Sequence, residues 1–162
     1  DITVIHNGLN TNVFKPTDPF ELKKQLNIPN GYKVALSVAP DIMSERKGGK
    51  WVLQLAEKMK NKKIIFILVG EKYQLESTIT NVICMDRIND QSMLAKMYTM
   101  ADVFLLCSEK ETYSMTCAEA LCCGTPIVGF KCGAPETVFA EPYAKFVDYG
   151  HIQEMVDLLN EM

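Results

Sequence analysis

The sequence contains no apolar run that approaches the ~20 residues of a bilayer-spanning helix, so no such helix is predicted. It also lacks an excess of basic residues: 17 Lys and Arg stand against 20 Asp and Glu, a formal net charge of −3. This balance gives no electrostatic reason to expect nucleic acid or an anionic membrane as the main partner. Any bound anion would be held locally, by a few cationic side chains or backbone N–H groups.

Histidine is scarce, and the cysteines lack the spacing of a metal site. The six cysteines form no Cys-x-x-Cys pair, and only His6 and His151 could complete a cluster. Structural zinc sites need clustered thiolates or imidazoles, so we expect no metal and expect buried, reduced cysteines. The N-terminus also lacks the pattern of a signal peptide. We therefore expect a cytoplasmic protein, either free or peripheral at the inner face of the membrane.

Internal repeats and low-complexity segments are absent too, and apolar β-rich runs alternate with helical patterns instead. The run from Ile64 to Val69 is apolar at every position, as in strands covered by helices on both faces. This order predicts an α/β fold with a doubly wound, Rossmann-like parallel sheet, as a single domain over residues 1–162. The expected strands are 2–6, 33–38, 64–69, 81–85, 103–106, 126–130 and 145–147, and the expected helices lie near 20–26, 48–59, 90–100, 115–123, 135–140 and 151–162.

This fold class predicts where a ligand binds. In open α/β sheets, ligands lie beyond the carboxyl ends of the strands, where loops lead into helix N-termini. The loops that matter are therefore those at residues 39–47, 70–74, 86–90, 107–114 and 131–135.

Two glutamates follow the expected strand 103–106. Glu111 lies in a polar loop, and Glu119 lies on a helix that begins near Ser114, a suitable N-cap. That helix is apolar nearly all round, which predicts burial, and a buried carboxylate needs a hydrogen-bond donor. The donor could be a ligand, or an internal lysine or backbone N–H group. The residues alone leave both alternatives open, with Glu111 merely solvated in the second.

A basic pair, Arg46-Lys47, precedes Gly48 in the loop after the expected strand 33–38. The next helix begins there, and anions are favoured at helix N-termini. Basic residues in a surface loop are also commonly just solvated. On its own, the pair does not decide between these two interpretations.

Taken in order, these segments resemble the C-terminal, donor-binding domain of retaining GT-B glycosyltransferases of family four (group 1). Seven residues separate Glu111 from Glu119, which is similar to the Glu-x7-Glu signature of that family. The Gly-Thr-Pro-Ile-Val run at 124–128 and the Gly-Ala-Pro-Glu run at 133–136 resemble its Gly-x-Pro-Val and Gly-Gly-x-Pro-Glu segments. Residues 1–16 resemble the linker region that enters this domain in the family.

The resemblance implies roles for individual residues. Glu111 would accept hydrogen bonds from the donor sugar and Lys47 would bind the donor diphosphate, which makes these two the expected catalytic residues. Glu119 would bind the ribose hydroxyls. Backbone N–H groups at the loop–helix junction would face the sugar and diphosphate, at the positive end of the helix dipole. Those N–H groups belong to Tyr113, Ser114, Met115 and Thr116.

Further substrate-binding residues are expected from the same resemblance. Arg46 would supply the guanidinium that relatives carry in a Gly-Arg pair after the first strand, where this chain has Ala-Pro at 39–40. Gly70 would lie near the phosphates, Arg87 and Ile88 near the nucleobase, and Gly133 would let the backbone approach the sugar. Two other departures are Tyr-Ser at 113–114, where relatives have Phe-Gly, and a cysteine at 132 in place of glycine.

The resemblance also implies an activity: metal-independent, retaining hexosyl transfer from a UDP-, GDP- or ADP-sugar to a glycan or lipid-linked acceptor, without a cofactor, as in polysaccharide biosynthesis. No Asp-x-Asp motif is present, and a cationic loop with a helix dipole can hold the diphosphate instead. Acceptor and membrane contacts would come through the N-terminal domain of the family, so this chain alone is expected to be inactive. A sugar-nucleotide epimerase of the same fold and a non-catalytic nucleotide-sensing module are the alternatives.

Overall fold

A computed structural model describes residue 3, residues 7–70 and residues 79–162, which contain six strands and six helices. The strands are β1 (Lys33–Val38), β2 (Ile64–Gly70), β3 (Val82–Asp86), β4 (Val103–Leu106), β5 (Ile127–Phe130) and β6 (Ala144–Val147). The helices are α1 (Phe20–Gln25), α2 (Gly49–Lys58), α3 (Gln91–Met100), α4 (Met115–Cys122), α5 (Pro135–Val138) and α6 (Ile152–Asn160).

The strands form one sheet in the order β3-β2-β1-β4-β5-β6, and every neighbouring pair is parallel. This confirms the predicted doubly wound sheet. The strand order reverses between β1 and β4, which are joined at Ala35 opposite Val103 and Leu36 opposite Phe104. In a sheet of this kind, the loops after the two central strands diverge to opposite faces and leave a crevice between them.

Most of the predicted elements match the structure to within two residues. Strand β3 starts at Val82, one residue later than expected, and helix α5 ends at Val138, two residues earlier. The early end has a local cause, because Phe139 adopts an extended conformation that cannot continue a helix. The strand expected at 2–6 lies almost wholly outside the described residues, as does the loop beyond Gly70.

Both faces of the sheet are buried. Along β1, Val34 and Leu36 belong to one apolar layer and Ala35 to the other, and all three are 0% exposed. Helices α1, α3 and α4 complete the first layer, and α2 and α6 complete the second. The uninterrupted apolar runs in the sequence follow from this, because each position of a central strand meets a helix layer.

None of the helices within the described ranges is long and apolar enough to cross a membrane.

Candidate functional site

A cavity of about 160 Å³ lies at the crevice where the strand order reverses. Its walls are the carboxyl ends of β1 and β4, the side chains of Lys47 and Glu111, and the start of α4. This is the edge of the sheet that the fold class predicts for a ligand. The cavity brings together residues that are 64 positions apart in the sequence.

Lys47 and Glu111 form an ion pair across this cavity. Lys47 Nζ donates to Glu111 Oε1 at 2.7 Å, and the two side chains are only 16% and 12% exposed. A pair this enclosed is screened by water less than the exposed ion pairs elsewhere on the chain. The pairing excludes the interpretation that Glu111 is merely a solvated loop residue.

The loop that carries Lys47 is folded back on itself. The amides of Lys47 and Gly48 both donate to the Ser44 carbonyl, at 3.1 and 3.0 Å, and the amide of Gly49 donates to the Ile42 carbonyl at 2.9 Å. These N–H groups are therefore unavailable to an anion, although the sequence places them at a helix N-terminus. What this loop offers the cavity is the Lys47 ammonium group.

The backbone of Glu111 is fixed by the loop after β5. Its amide donates to the Cys132 carbonyl at 2.8 Å, and its carbonyl accepts from the Ala134 amide at 3.3 Å, as a single β-bridge to Gly133. Gly133 has a φ of 126°, and a Cβ there would lie 2.7 Å from the Glu111 carbonyl oxygen. The absence of a side chain at Gly133 thus permits a close approach to Glu111. The approach of this backbone to a sugar, which the family resemblance implies, stays a prediction.

Glu136 holds the same turn from the other side. Its carboxylate accepts from the amide of Cys132 at 3.0 Å and from the amide of Gly133 at 3.0 and 3.1 Å. Burial acts to raise the pKa of Glu136, but hydrogen bonds from its own amide and from these two amides outweigh it and lower the pKa below its usual value. The charged carboxylate therefore stabilises the turn that fixes Glu111.

We expect Glu136→Gln to lower the thermal unfolding temperature at neutral pH, because the neutral amide accepts these hydrogen bonds more weakly than a carboxylate. A lowered pKa stabilises the folded state above the unfolded pKa of roughly 4.3 and loses that contribution as pH falls through the folded value. The difference between wild type and variant should thus be constant above about pH 6 and shrink below about pH 5. Thermal unfolding followed by circular dichroism from pH 3 to 8 tests this. A difference in unfolding temperature that does not change with pH would contradict it.

The start of α4 forms another part of the cavity wall. Ser114 is the N-cap, as predicted, and its Oγ accepts from the Cys117 amide at 3.4 Å. Ser114 has a φ of 69°, a left-handed conformation that explains why relatives can place glycine there. The Ser114 carbonyl accepts the Ala118 amide, which leaves the amides of Met115 and Thr116 without a partner inside the helix. Both residues line the cavity.

Glu119 lies on α4 about one and a half turns beyond the cap. It is half-buried, and its Oε2 accepts a 2.7 Å hydrogen bond from the Tyr98 hydroxyl group. The sequence suggested a ligand, a lysine or a backbone amide, so the tyrosine donor was missed. Burial raises the pKa of Glu119, and the Tyr98 hydrogen bond opposes that rise. Glu119 does not line the cavity between β1 and β4.

Tyr98 could have been noticed from the sequence. It lies on α3 among apolar residues, and a buried tyrosine hydroxyl usually has a hydrogen-bond partner. What the sequence could not supply was the partner, because α3 and α4 are separated by a strand and a loop.

Arg46 does not join Lys47 at the cavity. It is exposed and lines a shallower depression of about 680 Å³, together with Glu111 and Gly133. Its carbonyl accepts from the Glu109 amide at 2.9 Å, which fixes the two loops to each other. The two members of the basic pair therefore line different depressions, which share Glu111, and a substrate-binding role for Arg46 stays a prediction.

The four remaining residues that were predicted to bind substrate do not line the cavity between β1 and β4. The Tyr113 ring packs on Phe139 with centroids 5.7 Å apart. Gly70 ends β2, and a Cβ there would lie 1.6 Å from the carbonyl oxygen of Ala39, a cavity residue. Arg87 is exposed and Ile88 packs against the core, and both follow the edge strand β3 rather than lining the cavity.

The two histidines do not contribute to the cavity in the part of the chain that the structure describes. His151 is exposed and lies 2.6 Å from Glu154 at the start of α6, as expected for a solvated helix terminus. His6 lies outside the described residues. Within the ranges that are described, no group of three or more His, Cys, Asp or Glu residues could hold a metal ion.

Comparisons with known proteins give one family. The model of the family described as glycosyl transferases group 1 matches residues 18–162. N-acetyl-alpha-D-glucosaminyl L-malate synthase of Bacillus anthracis is 26% identical over 145 residues, which is 85% of this chain and 38% of that protein. The chain spans about two fifths of the length of the curated relatives it matches.

Solved structures share the fold. Anabaena HepE in complex with UDP-glucose superimposes with a TM-score of 0.81 at 22% identity, over 98% of this chain and 47% of that one. The C-terminal domain of a glycosyl transferase group 1 family protein (LpcC) from Francisella tularensis gives 0.75 at 19% identity, over 95% of this chain and 87% of that one. At these identities, the likeness establishes the GT-B type of fold and not a shared substrate.

Proposed function

The chain belongs to the glycosyl transferases group 1 family, and from that premise we propose that it binds the nucleoside diphosphate sugar donor of a sugar-transfer reaction. The observation that carries this proposal is the cavity between β1 and β4, which is lined by an ammonium group and by a helix N-terminus. Such a lining suits an anionic ligand. The UDP-glucose in the HepE complex is a nucleoside diphosphate sugar, the same chemical class as the proposed donor.

Lys47 and the start of α4 are proposed to hold the diphosphate. Lys47 contributes an ammonium group with N–H donors beyond the one directed at Glu111, and the amides of Met115 and Thr116 contribute hydrogen-bond donors at the positive end of the α4 dipole. During sugar transfer, negative charge grows on the departing nucleoside diphosphate. Fixed positive groups in an enclosed site stabilise that charge without having to reorganise.

Glu111 is proposed to face the donor sugar. Its carboxylate can accept hydrogen bonds from sugar hydroxyls, and the loop after β5 fixes its backbone. A carboxylate beside a diphosphate would repel it, but Lys47 neutralises Glu111 at 2.7 Å. The ion pair thus allows an acidic sugar-binding group and an anion site to share one cavity.

Glu119 is proposed to bind the ribose hydroxyl groups. A carboxylate with two acceptor oxygens matches a pair of neighbouring hydroxyls. Its Oε2 accepts from Tyr98, and no protein donor to Oε1 is found in the part of the chain that the structure describes. One acceptor oxygen therefore remains for a ligand.

For the whole protein we propose retaining transfer to a glycan or lipid-linked acceptor, without a metal ion or cofactor. The Lys47 ammonium group and the N-terminus of α4 supply hydrogen-bond donors to the diphosphate in place of a metal ion. Transfer also needs the acceptor in near-attack geometry, which can account for about 7–11 kcal/mol of the barrier. Since the matched relatives are more than twice as long, we expect these 162 residues to bind the donor but not to transfer its sugar.

The test is thermal stabilisation of the 162-residue chain by UDP, GDP and ADP, each compared with its nucleoside and each with and without EDTA. One diphosphate at 100 times its dissociation constant should add about 2.7 kcal/mol to the free energy of unfolding. The matching nucleoside should stabilise far less at the same concentration, and EDTA should change neither result. Stabilisation by none of the diphosphates would refute donor binding, and an EDTA-sensitive effect would refute metal independence.

A further inference from the structure

Tyr98 is a buried ionisable residue to which the proposed donor site assigns no role. It lies on α3 and is 0% exposed, and its hydroxyl group donates to Glu119 Oε2 at 2.7 Å. The two helices meet on the same face of the sheet. A carboxylate on α4 is thus held by a side chain on α3.

The Tyr98 ring is fixed by two neighbouring aromatic rings. The ring of Phe104, in β4, packs edge-on against it, with ring centroids 5.7 Å apart and an angle of 63° between the ring planes. The centroid of the Phe14 ring lies 6.3 Å away, and its plane is tilted by 59°. Phe14 and Phe104 are themselves 2% and 1% exposed. Close packing of this kind allows a buried ring few alternative rotamers, so the hydroxyl group keeps its direction.

The backbone of Tyr98 is also tied to the segment after α4. Thr125 Oγ1 donates to the Tyr98 carbonyl at 2.5 Å, and Thr125 is 1% exposed. The amide of Thr125 donates to the Ala120 carbonyl of α4 at 2.9 Å. Tyr98 is therefore connected to α4 at two points, by its hydroxyl group to Glu119 and by its carbonyl through Thr125.

Tyr98 stays a hydrogen-bond donor over the working range of pH. Burial, the charge of Glu119 and the hydrogen bond to it raise the Tyr98 pKa well above its ordinary value. Cys123, next to Cys122 at the end of α4, is another titratable group near Glu119, and burial raises the pKa of Cys123 to about 11. Burial raises the pKa of Glu119 above its usual value, so Glu119 is the member of this group that loses its charge as the solution is acidified.

We propose that Tyr98 is a positioning residue for nucleotide recognition: its hydroxyl group holds Glu119 by Oε2 and so presents Oε1 to a ribose hydroxyl of the donor. The inference rests on the proposed function, because it assigns Tyr98 a task within that same site. It goes further in naming a residue on α3, outside the signature segment of the chain, that sets the ribose preference.

The arrangement makes ribose recognition dependent on pH in a defined direction. The charged form of Glu119 is the better acceptor, so the preference for a ribose is present above the Glu119 pKa and lost as pH falls through it. The Tyr98 hydrogen bond favours that charged form. Without the hydroxyl group the Glu119 pKa rises further, and the preference is lost at a higher pH.

The experiment measures the ribose preference, defined as the ratio of dissociation constants for a 2′,3′-dideoxynucleoside diphosphate and the matching ribonucleoside diphosphate. The base is whichever of UDP, GDP or ADP the wild-type chain binds. Calorimetry from pH 5 to 8 compares wild type, Tyr98→Phe, Glu119→Gln and the double variant. Tyr149→Phe is the control, because it removes a hydroxyl group that is hydrogen-bonded to Trp51 on the other face of the sheet.

We expect Tyr98→Phe to reduce the ribose preference at neutral pH by roughly three- to tenfold and to move its loss to higher pH. Its affinity for the dideoxy ligand should not change. In the Glu119→Gln background the same substitution should have no further effect, and Tyr149→Phe should match wild type. If the role of Tyr98 were purely structural, Tyr98→Phe would instead weaken the binding of both ligands equally, and this effect would persist in the Glu119→Gln background.

Each other outcome has a distinct meaning. An unchanged preference and pH profile in Tyr98→Phe would overturn the positioning role while leaving donor binding intact. A wild-type chain that binds diphosphates without a ribose preference would also overturn it. Failure of the wild type to bind any of the three diphosphates would refute the proposed function instead. If Tyr98→Phe does not fold, the ribose preference of wild type and of Glu119→Gln is compared from pH 5 to 8. If the preference depends on pH equally in both proteins, Glu119 does not recognise the ribose, and the positioning role of Tyr98 is overturned with it.

Discussion

Replacing Lys47 with alanine is expected to weaken nucleoside diphosphate binding roughly a hundredfold while changing nucleoside binding less than about threefold. Two effects add for the diphosphate. The variant loses the cation on the cavity wall, and it leaves the Glu111 carboxylate, only 12% exposed, without its 2.7 Å partner. A stranded negative charge also repels a second anion, so the diphosphate loses an attraction and gains a repulsion. Calorimetry with the diphosphate and its nucleoside measures both losses.

A double variant separates the two effects. Lys47→Met combined with Glu111→Gln removes the cation without leaving an unpaired carboxylate, so it should recover roughly tenfold of the lost diphosphate affinity. Lys33→Ala is the matched control, because it also breaks an ion pair, the one between Lys33 and Asp102 at 3.1 Å. This pair lies at the amino end of β1, away from the cavity at the carboxyl end. Equal losses for diphosphate and nucleoside in Lys47→Ala would show that Lys47 does not contact the diphosphate.

The second large effect is expected for stability, from Gly48→Ala. Gly48 has a φ of 73°, and a Cβ there would lie 2.0 Å from the Cys107 carbonyl oxygen and 2.8 Å from its carbonyl carbon. Both contacts are to backbone at the end of β4, so a rotamer change cannot relieve them. The left-handed conformation and the clash together should lower the free energy of unfolding by about 3–5 kcal/mol. Urea denaturation of the folded chain tests this value.

Gly31 offers a matched control for the same substitution. Its φ of 78° is nearly that of Gly48, but a Cβ there would meet nothing within 4 Å. Gly31→Ala therefore carries the conformational cost alone, about 1–2 kcal/mol. The difference between the two variants measures how tightly the Lys47 loop is pressed onto β4. If both substitutions cost the same, the close approach of Gly48 to β4 is not what stabilises this loop.

Much of the fold could be predicted because its signals are local. Continuous apolar strands, a cap at Ser114 and breaks at glycine and proline depend only on neighbouring residues, and the predicted elements agree with β1, β4 and α4 to within a residue. The doubly wound sheet follows from the alternation of these elements together with the rule that parallel crossovers are right-handed. The resemblance to the family came from motif spacing, which is also a property of the sequence.

The partners of the charged side chains could not be predicted, because they come from distant segments. The sequence placed Lys47 beside Arg46, yet folding directs Lys47 into the cavity toward Glu111 and leaves Arg46 exposed. It left a ligand, a lysine or a backbone amide as the donor to Glu119, and tertiary packing supplied a donor outside that set, Tyr98.

The sequence by itself thus determined the sheet, the edge of the sheet at which the cavity lies and one of the residues that line it, Glu111. Only the tertiary structure decided which groups meet at that edge. The physical reason is that secondary structure responds to short-range periodicity and backbone preference, whereas an ion pair or a buried hydrogen bond depends on how whole elements pack. Gly133 shows the difference: its backbone freedom was evident from the residue type, but its contact, the Glu111 carbonyl, exists only where the loops after β4 and β5 come together.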